Sequence, residues 1–405
     1  MTMNQRLLEA LGAAIIQEKV TWTEDLTDEA WAELLHLAQA HNVLPLVQEA
    51  VYDCPAIRGL DPRILRTFQL QSIQTVSTQT RMTSEFLSLY SSLRQRGLRP
   101  LVVKGLVCRE LYPLPDHRVS GDEDMLITEE DYPACHEAMT AFGMKAEGDR
   151  DSFEVTYQKP GTPLYIELHK HLFHPGSDAY GDLNRFFTQA HQHAVEITVQ
   201  GVSVATMGHT DHLFYLICHA YKHFLHSGFG LRQVCDMAMY ANAYGSGIDW
   251  HLLLENCEAI HGEIFAAALF RIGEKYFHFD PEKACYADEW QKLEVKEEAL
   301  LEDILDSGVF GKTSSGRVHS SNITLEAVSA GNRGKKGNGL RKSLFPPASQ
   351  LVFRFPYLKE KPWLLPVAWT QRIVRYGKEK GSSPAETIRI GNERVALLRQ
   401  YGIIE

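Results

Sequence analysis

The spacing of apolar positions changes along the chain, and each change indicates a different kind of structure. Up to about residue 95 these positions recur every three to four residues, as in WAELLHLAQAHNVLPLVQEAV, which is typical of amphipathic helices. After Gly97, a short β-rich segment over 98–103 predicts a buried strand that ends in a turn at Lys104 and Gly105. From 209 to about 279 the helical spacing returns.

The segment between the two helical parts predicts a mixed core. A strand is expected at 123–128, a helix at 130–142, and a hairpin over 153–173 around a turn rich in proline and glycine. We therefore predict an α+β protein with a small mixed sheet. Its expected parts are a helical N-terminal region (1–95), the mixed core (96–206), a helical domain (207–306), a flexible linker (307–343) and a C-terminal segment that packs on the helical domain (344–405).

Composition narrows the class of protein. A chain of 405 residues exceeds the roughly 250 to 300 residues at which a single core stops growing, so more than one core is expected. We expect no membrane span and no signal peptide, and the seven scattered cysteines are typical of reduced thiols, so we predict a soluble cytoplasmic protein. The net charge of −10 disfavours a nucleic-acid partner, because affinity for nucleic acids comes mainly from Lys and Arg side chains that neutralise phosphates.

Two aspartates at the start of the second strand are the first candidates for chemistry. Asp122 and Asp124 stand two residues apart, so on a strand they share one face and could hold one hard cation, while Glu123 points away to solvent or another partner. Carboxylate oxygens suit Mg²⁺, which usually shares the rest of its coordination sphere with water and phosphates. An acidic pair that merely begins a solvated strand is the alternative.

A second feature lies upstream, where Lys104 and Gly105 connect a strand to a helix. A glycine there lets the backbone approach a phosphate, and the N-terminus of a helix favours its negative charge. Arg118 follows shortly before the aspartates, and its guanidinium could bind phosphate through two hydrogen bonds. For both cations a surface ion pair is the alternative.

These motifs together resemble the DNA polymerase β-like nucleotidyltransferase superfamily, and more closely its bacterial branch of uncharacterised nucleotidyltransferases. The resemblance covers roughly residues 25 to 380. It rests on LVVKG and ELYP, on DEDMLI and YIELHKHLF, on HAYKHFLHSGFGLRQVCDMAMY, and on LFPPASQ and LLPVAWTQRIVRYGK.

The resemblance implies an enzyme that moves a nucleoside monophosphate from an NTP, such as ATP, to a hydroxyl group. It implies catalytic metal ligands at Asp122, Asp124 and Glu167, for Mg²⁺ or Mn²⁺. It implies nucleotide contacts at Lys104, Gly105, Arg118, Ser120 and His169, where His169 would contact a phosphate, orient Glu167 or simply pack in the hairpin. The acceptor could be a small molecule, a sugar or a protein, and a non-catalytic nucleotide-binding or partner-binding module is the alternative function.

Two further patterns leave their roles open. His219, His223 and His226 share one helix face and could be structural, line the substrate pocket or bind a metal. Asp236 is expected to pair with Arg232 on its own helix, and binding of a substrate amine is the alternative. A set of basic residues in the predicted linker could be solvated or contact an anionic acceptor, namely Arg333, Lys335, Lys336, Arg341 and Lys342.

Overall fold

A computed structural model describes residues 1–309, 315–332, 348–351, 355–378 and 384–404 of the chain. Its opening region is helical, as the apolar spacing predicts: α1 (Met3–Ile15), α2 (Asp28–Ala40), α3 (Leu44–Val51) and α4 (Pro62–Gln95). Thr2 and Thr27 cap α1 and α2, and Asp61 caps α4 ahead of a proline at its first position. Buried leucines and valines join α1, α2 and α3 to the main core.

The central part is a five-stranded mixed sheet with short helices. Its elements are β1 (Leu101–Val103), α5 (Gly105–Arg109), β2 (Glu123–Leu126), α6 (Tyr132–Ala141), β3 (Lys145–Glu147), β4 (Glu154–Gln158) and β5 (Tyr165–His169). The strand order is β1-β2-β5-β4-β3, and the β2–β5 pair is parallel whereas the other three pairs are antiparallel. The prediction of an α+β fold with a small mixed sheet is confirmed.

Three strands in this region were not predicted. β3 is short and its side chains are half or fully exposed, so it lacks the apolar pattern of a strand. A separate hairpin, β6 (Val195–Val199) and β7 (Val202–Thr206), turns through Gln200 and Gly201, both of which have positive φ. Two successive residues with positive φ are the conformation that a two-residue hairpin turn requires.

The next part of the chain is helical again. It comprises α7 (His209–His226), α8 (Leu231–Tyr244), α9 (Trp250–Glu258), α10 (Glu263–Tyr276), α11 (Asp288–Gln291) and α12 (Glu298–Ser307). Helix α7 carries eleven buried residues, seven of them consecutive, so it is enclosed on most sides, and it packs against α8 and α9. None of the helices in the described ranges is both long and apolar enough to cross a membrane.

The predicted linker 307–343 is wrong in part, because the chain forms helix α13 (Ser315–Asn332) within it. Small polar side chains, which suggested a loop, are here buried and hydrogen-bonded: Thr324 donates to the backbone oxygen of Leu225, 2.5 Å away. The basic residues of that linker lie outside the described residues. Three helices follow, α14 (Ala348–Leu351), α15 (Leu365–Lys378) and α16 (Pro384–Gln400), and α16 packs along α13.

Candidate active site

The register of the sheet places two carboxylates next to each other. Asp124 on β2 is the direct neighbour of Glu167 on the parallel strand β5. His169 lies two residues further along β5, and so its side chain is on the same face. One ligand atom from each of these three residues lies within 4.8 Å of the other two, a spacing that a single metal ion could bridge.

Asp122 occupies a different position from the one its spacing predicts. It precedes β2 instead of lying on it, and the compact group of ligand atoms in the described chain does not include its carboxylate. Asp122 nevertheless lines the same cavity of about 360 Å³ as the three residues of that group. Burial and the neighbouring Asp124 raise the pKa of Asp122. Its predicted role as a metal ligand stays a prediction.

His169 contacts carboxylates on three sides. Its Nε2 atom is 3.0 Å from Asp124 Oδ1 and 3.7 Å from Glu167 Oε2, and its Nδ1 atom is 3.4 Å from Glu154 Oε2. The antiparallel pairing of β4 with β5 brings Glu154 opposite His169. The sequence analysis did not name Glu154 as a candidate. The predicted hairpin contains this residue, but its position opposite His169 depends on the strand register.

Negative charge is concentrated at this end of the cavity. Burial raises the pKa of Glu167 to about 8, and Asp124, Asp122 and Glu154 add to the effect. Burial also opposes ionisation of Asp124, but Lys104 and His169 outweigh it and lower the pKa of that carboxyl. One carboxylate is therefore held ionised while its neighbour retains a proton near neutral pH. A bound divalent cation would favour ionisation of both.

Lys104 reaches the same carboxylate from the end of β1. Its Nζ atom is 2.9 Å from Asp124 Oδ2 and 3.2 Å from His219 Nε2. The Lys104 backbone has a φ of +46°, which is unusual for a residue with a side chain, and His212 Nε2 accepts its N–H at 3.0 Å. Thr206 lies 3.1 Å from the other ring nitrogen of His212. Sequence reasoning missed His212, since 108 positions separate it from Lys104.

The predicted phosphate cradle at Gly105 is occupied by a protein carboxylate. Glu123 Oε2 accepts the backbone N–H of Leu106 at 2.8 Å, and a Cβ atom on Gly105 would lie 2.2 Å from that same oxygen. Glu123 also forms a fully buried ion pair with Arg109. The glycine therefore makes room for Glu123, and α5, which has only five residues, presents the N–H of its second residue, Leu106, to this side chain.

Ser120 belongs to the same buried network. Its Oγ atom accepts a hydrogen bond from Arg109 Nη2 at 2.5 Å, and its backbone N–H donates to Gln79 Oε1 at 2.8 Å. Ser120 also lines the cavity. Its side chain thus orders the loop that precedes Asp122, and its predicted nucleotide contact stays a prediction.

Arg118 pairs with Asp236, which corrects the expected pair between Asp236 and Arg232. Two nitrogens of Arg118 donate to the two carboxylate oxygens of Asp236, at 3.1 and 2.6 Å, and Tyr112 donates to the same carboxylate at 2.9 Å. Arg232 instead donates to the backbone oxygen of Val119. The spacing along α8 favoured the local pair, but the loop before β2 lies against α8 and supplies a better-oriented guanidinium.

Helix α7 forms the wall opposite the sheet. Tyr215, His219, Lys222 and His223 line the cavity. The Lys104 ammonium donates to His219 Nε2, and His223 Nε2 lies 3.2 Å from that nitrogen, so both rings are suited to the neutral form. Burial and nearby Lys104 lower the pKa of His219 well below its usual range. His226 does not line the cavity and lies 3.1 Å from Tyr180 Oη.

The residues that form this site lie within the part of the chain that matches a family model. A model of the family described as "Uncharacterised nucleotidyltransferase" matches residues 27–278, which is more than half of the chain. The chain belongs to this family. The matched part of the nucleotidyltransferase includes the whole sheet, the candidate metal group and the α7 wall.

Curated proteins and solved structures do not extend the family assignment. No curated protein matches the nucleotidyltransferase chain. The crystal structure of an antigenic nucleotidyltransferase-like protein from Paracoccidioides brasiliensis aligns with 46% of this chain and 92% of its own, with 12% sequence identity and a TM-score of 0.31. A similarity of that size does not indicate a shared activity.

Proposed function

We propose that this nucleotidyltransferase transfers a nucleoside monophosphate from an NTP to a hydroxyl group, with release of pyrophosphate and with Mg²⁺ or Mn²⁺ as cofactor. The observation that carries the proposal is the register of β2 and β5, which sets Asp124 beside Glu167 with His169 within 4.8 Å of both. Family membership supports the same class of reaction.

The donor set fits a hard divalent cation. Asp124 and Glu167 offer carboxylate oxygens, which suit Mg²⁺ and Mn²⁺, and a ring nitrogen of His169 could bind a Mn²⁺ ion or hold Asp124 in position. Such an ion would stabilise the negative charge on the transferred phosphoryl group and would lower the pKa of an attacking hydroxyl. The protein's own part is to concentrate negative charge at one end of a cavity and to keep Asp124 ionised.

The cavity also suits a substrate that carries both phosphate and metal. Its sheet side presents Asp122, Glu154 and Glu167, whereas its helical side presents basic and imidazole groups. A metal complex of a nucleotide has the matching distribution of charge, with its cation toward the carboxylates and its phosphates toward the basic side. The hydroxyl acceptor would share this cavity, and we propose a small molecule, a sugar or a protein side chain as its source.

A transfer assay tests the proposal. Purified protein is incubated with each α-labelled NTP and with Mg²⁺ or Mn²⁺, in the presence and absence of cell extract. We expect labelled acceptor from the wild type and a loss of about 100-fold or more in Asp124→Asn and Glu167→Gln, because each removes charge from the metal group. Glu289→Gln, an exposed position on α11, is the matched control and should retain full transfer.

Metal binding separates the possible outcomes. Mn²⁺ titration followed by electron paramagnetic resonance should show a bound ion that Asp124→Asn loses. Binding of metal and nucleotide without transfer to any acceptor would favour the non-catalytic module instead. Failure of the wild type to bind Mn²⁺ or Mg²⁺ would exclude the metal site altogether.

A further inference from the structure

Two cations on the helical side of the cavity lack acidic partners. Lys222 on α7 lines the cavity. Within the described ranges its ammonium group forms no hydrogen bond, and no carboxylate oxygen lies within 4.0 Å of it. Arg232 on α8 also lines the cavity; it donates to the backbone oxygen of Val119, while its Nε atom is buried without a hydrogen-bond partner. Neither cation therefore forms an ion pair with a carboxylate in the described part of the chain.

Two of the carboxylates whose charge acts on these cations are already engaged in ion pairs. Asp236 accepts two hydrogen bonds from Arg118 and one from Tyr112. Asp124 contacts Lys104 and His169. Pairing Lys222 with Asp124, or Arg232 with Asp236, would thus leave Lys104 or Arg118 without its carboxylate.

Leaving buried charges unpaired is costly. Burial and the proximity of Lys104 lower the pKa of Lys222, and burial and Arg118 lower the pKa of Arg232. In both groups the cost of desolvation outweighs the attraction of the surrounding carboxylates, none of which forms an ion pair with either cation in the described chain. A bound anion would offset this cost.

A third donor faces the same space. Arg118 uses Nε and Nη2 for Asp236, and its Nη1 atom is buried without a partner while the residue lines the cavity. Because Asp236 fixes the guanidinium plane, the direction of this free N–H is set before any ligand binds. The three groups belong to the loop before β2, to α7 and to α8.

The other candidate for phosphate binding is closed. Glu123 accepts the N–H of Leu106 in α5 and fills the space beside Gly105. A phosphate there would meet a buried carboxylate. The positive charge that a phosphate chain needs is therefore on the helical side of the cavity.

We propose that Lys222, Arg232 and the free Nη1 of Arg118 form the subsite for the phosphate chain of the donor nucleotide. This inference rests on the proposed function, and it assigns the phosphates to α7 and α8 in place of the turn at Gly105. The chain would then lie between these cations and the carboxylates of β2 and β5, with its reacting phosphorus toward Asp124.

Calorimetric titration with tripolyphosphate, without divalent metal, tests the subsite directly. We expect Lys222→Met to weaken tripolyphosphate binding by about 10- to 100-fold, since one charge-assisted contact is lost. Lys222→Arg should retain most of the affinity because it keeps the charge. Lys283→Met, which changes an exposed lysine outside the cavity, is the matched control and should bind like the wild type. Adenosine, which has no phosphate, should show no dependence on Lys222.

Arg232→Lys provides a second variant, since it keeps a cation and is expected to weaken tripolyphosphate binding more mildly, by about 3- to 10-fold. Circular dichroism and urea unfolding confirm that each variant is folded. Unchanged affinity in a folded Lys222→Met protein, or no binding of tripolyphosphate to the wild type, would overturn the subsite.

Failure of the subsite and failure of the proposed function give different results. Nucleotidyl transfer by the wild type together with unchanged tripolyphosphate affinity in Lys222→Met would leave the function standing and remove the subsite. Tripolyphosphate binding that depends on Lys222, with no transfer to any acceptor, would support the subsite and remove the transferase activity. Asp124→Asn should keep tripolyphosphate binding while losing transfer.

Discussion

Gly105→Ala is expected to destabilise the protein through Glu123, and this change distinguishes two roles for the glycine. The added Cβ atom would lie 2.2 Å from Glu123 Oε2, so the carboxylate must move by about 0.8 Å (3.0 minus 2.2) to reach even a very tight contact. Glu123 is fully buried, and both of its oxygens are engaged, one by Leu106 N–H and the other by Arg109. A shift of that size along the Leu106 bond would lengthen it beyond hydrogen-bond range.

The expected cost follows from these contacts. An unsatisfied buried N–H costs about 1 to 3 kcal/mol, and complete loss of one partner of a buried ion pair costs about 3 to 5 kcal/mol. Because the pair with Arg109 would be strained instead of lost, we expect Gly105→Ala to lower the free energy of unfolding by about 2 to 4 kcal/mol. The better helix propensity of alanine returns less than about 1 kcal/mol.

Urea unfolding of a mutant cycle tests this reasoning. Gly121→Ala is the control, since a Cβ atom there meets nothing within 4 Å, and its effect should stay within about 0.5 kcal/mol. In an Arg109→Met/Glu123→Ala background the clash is absent, so Gly105→Ala should become nearly neutral. An equal cost in both backgrounds would refute the reasoning. Weakened nucleotide binding with unchanged stability would instead restore the phosphate role of Gly105.

Three further predictions concern stability. Asp236→Ala should lower the free energy of unfolding by about 3 to 5 kcal/mol, because it leaves Arg118 buried without its carboxylate; a loss under 1 kcal/mol in urea unfolding would contradict this. His212→Phe should cost about 1 to 3 kcal/mol in the same assay, because the Lys104 N–H loses its acceptor, and an unchanged midpoint would argue against that. Burial lowers the pKa of His41 to about 4, so the unfolded chain takes up a proton at higher pH than the folded one, and the free energy of unfolding should fall by up to about 3 kcal/mol between pH 6.5 and 4. His41→Gln should flatten this pH dependence. An equal slope in both proteins would count against the prediction.

Local patterns explain why parts of the fold and site could be predicted. Alternation along β2 and β5 and the proline- and glycine-rich turn indicated the strands, and spacing by two indicated that Glu167 and His169 share a face. Asp122 precedes the strand, whose start at residue 123 agrees with the prediction, so the rule for one strand face does not fix the direction of its side chain. Only the tertiary structure shows that Asp122 lines the same cavity as Asp124 and Glu167.

The predicted linker failed for a related reason. Residues 315–332 contain few apolar positions, so no helical stripe was visible, and the helix is stabilised by buried hydroxyls and by Arg317, which donates to Asp303 at 2.7 Å. Such contacts depend on α12 and α7 being in place. Composition alone could not show that these polar groups have partners.

The sequence by itself determined the class of fold, the two helical parts, the strands β1, β2, β4 and β5, and the carboxylates Asp124 and Glu167 as candidates, because these follow from periodicities within about ten residues and from a recognisable family pattern. Tertiary structure alone decided which charges meet. Arg118 pairs with a carboxylate 118 positions away, and Glu123 accepts the backbone N–H of Leu106 beside Gly105. Lys222 lines the cavity and forms no ion pair in the described part of the chain. Ion pairing depends on distances of a few ångströms between segments far apart in the chain, and these are set by strand register and helix packing.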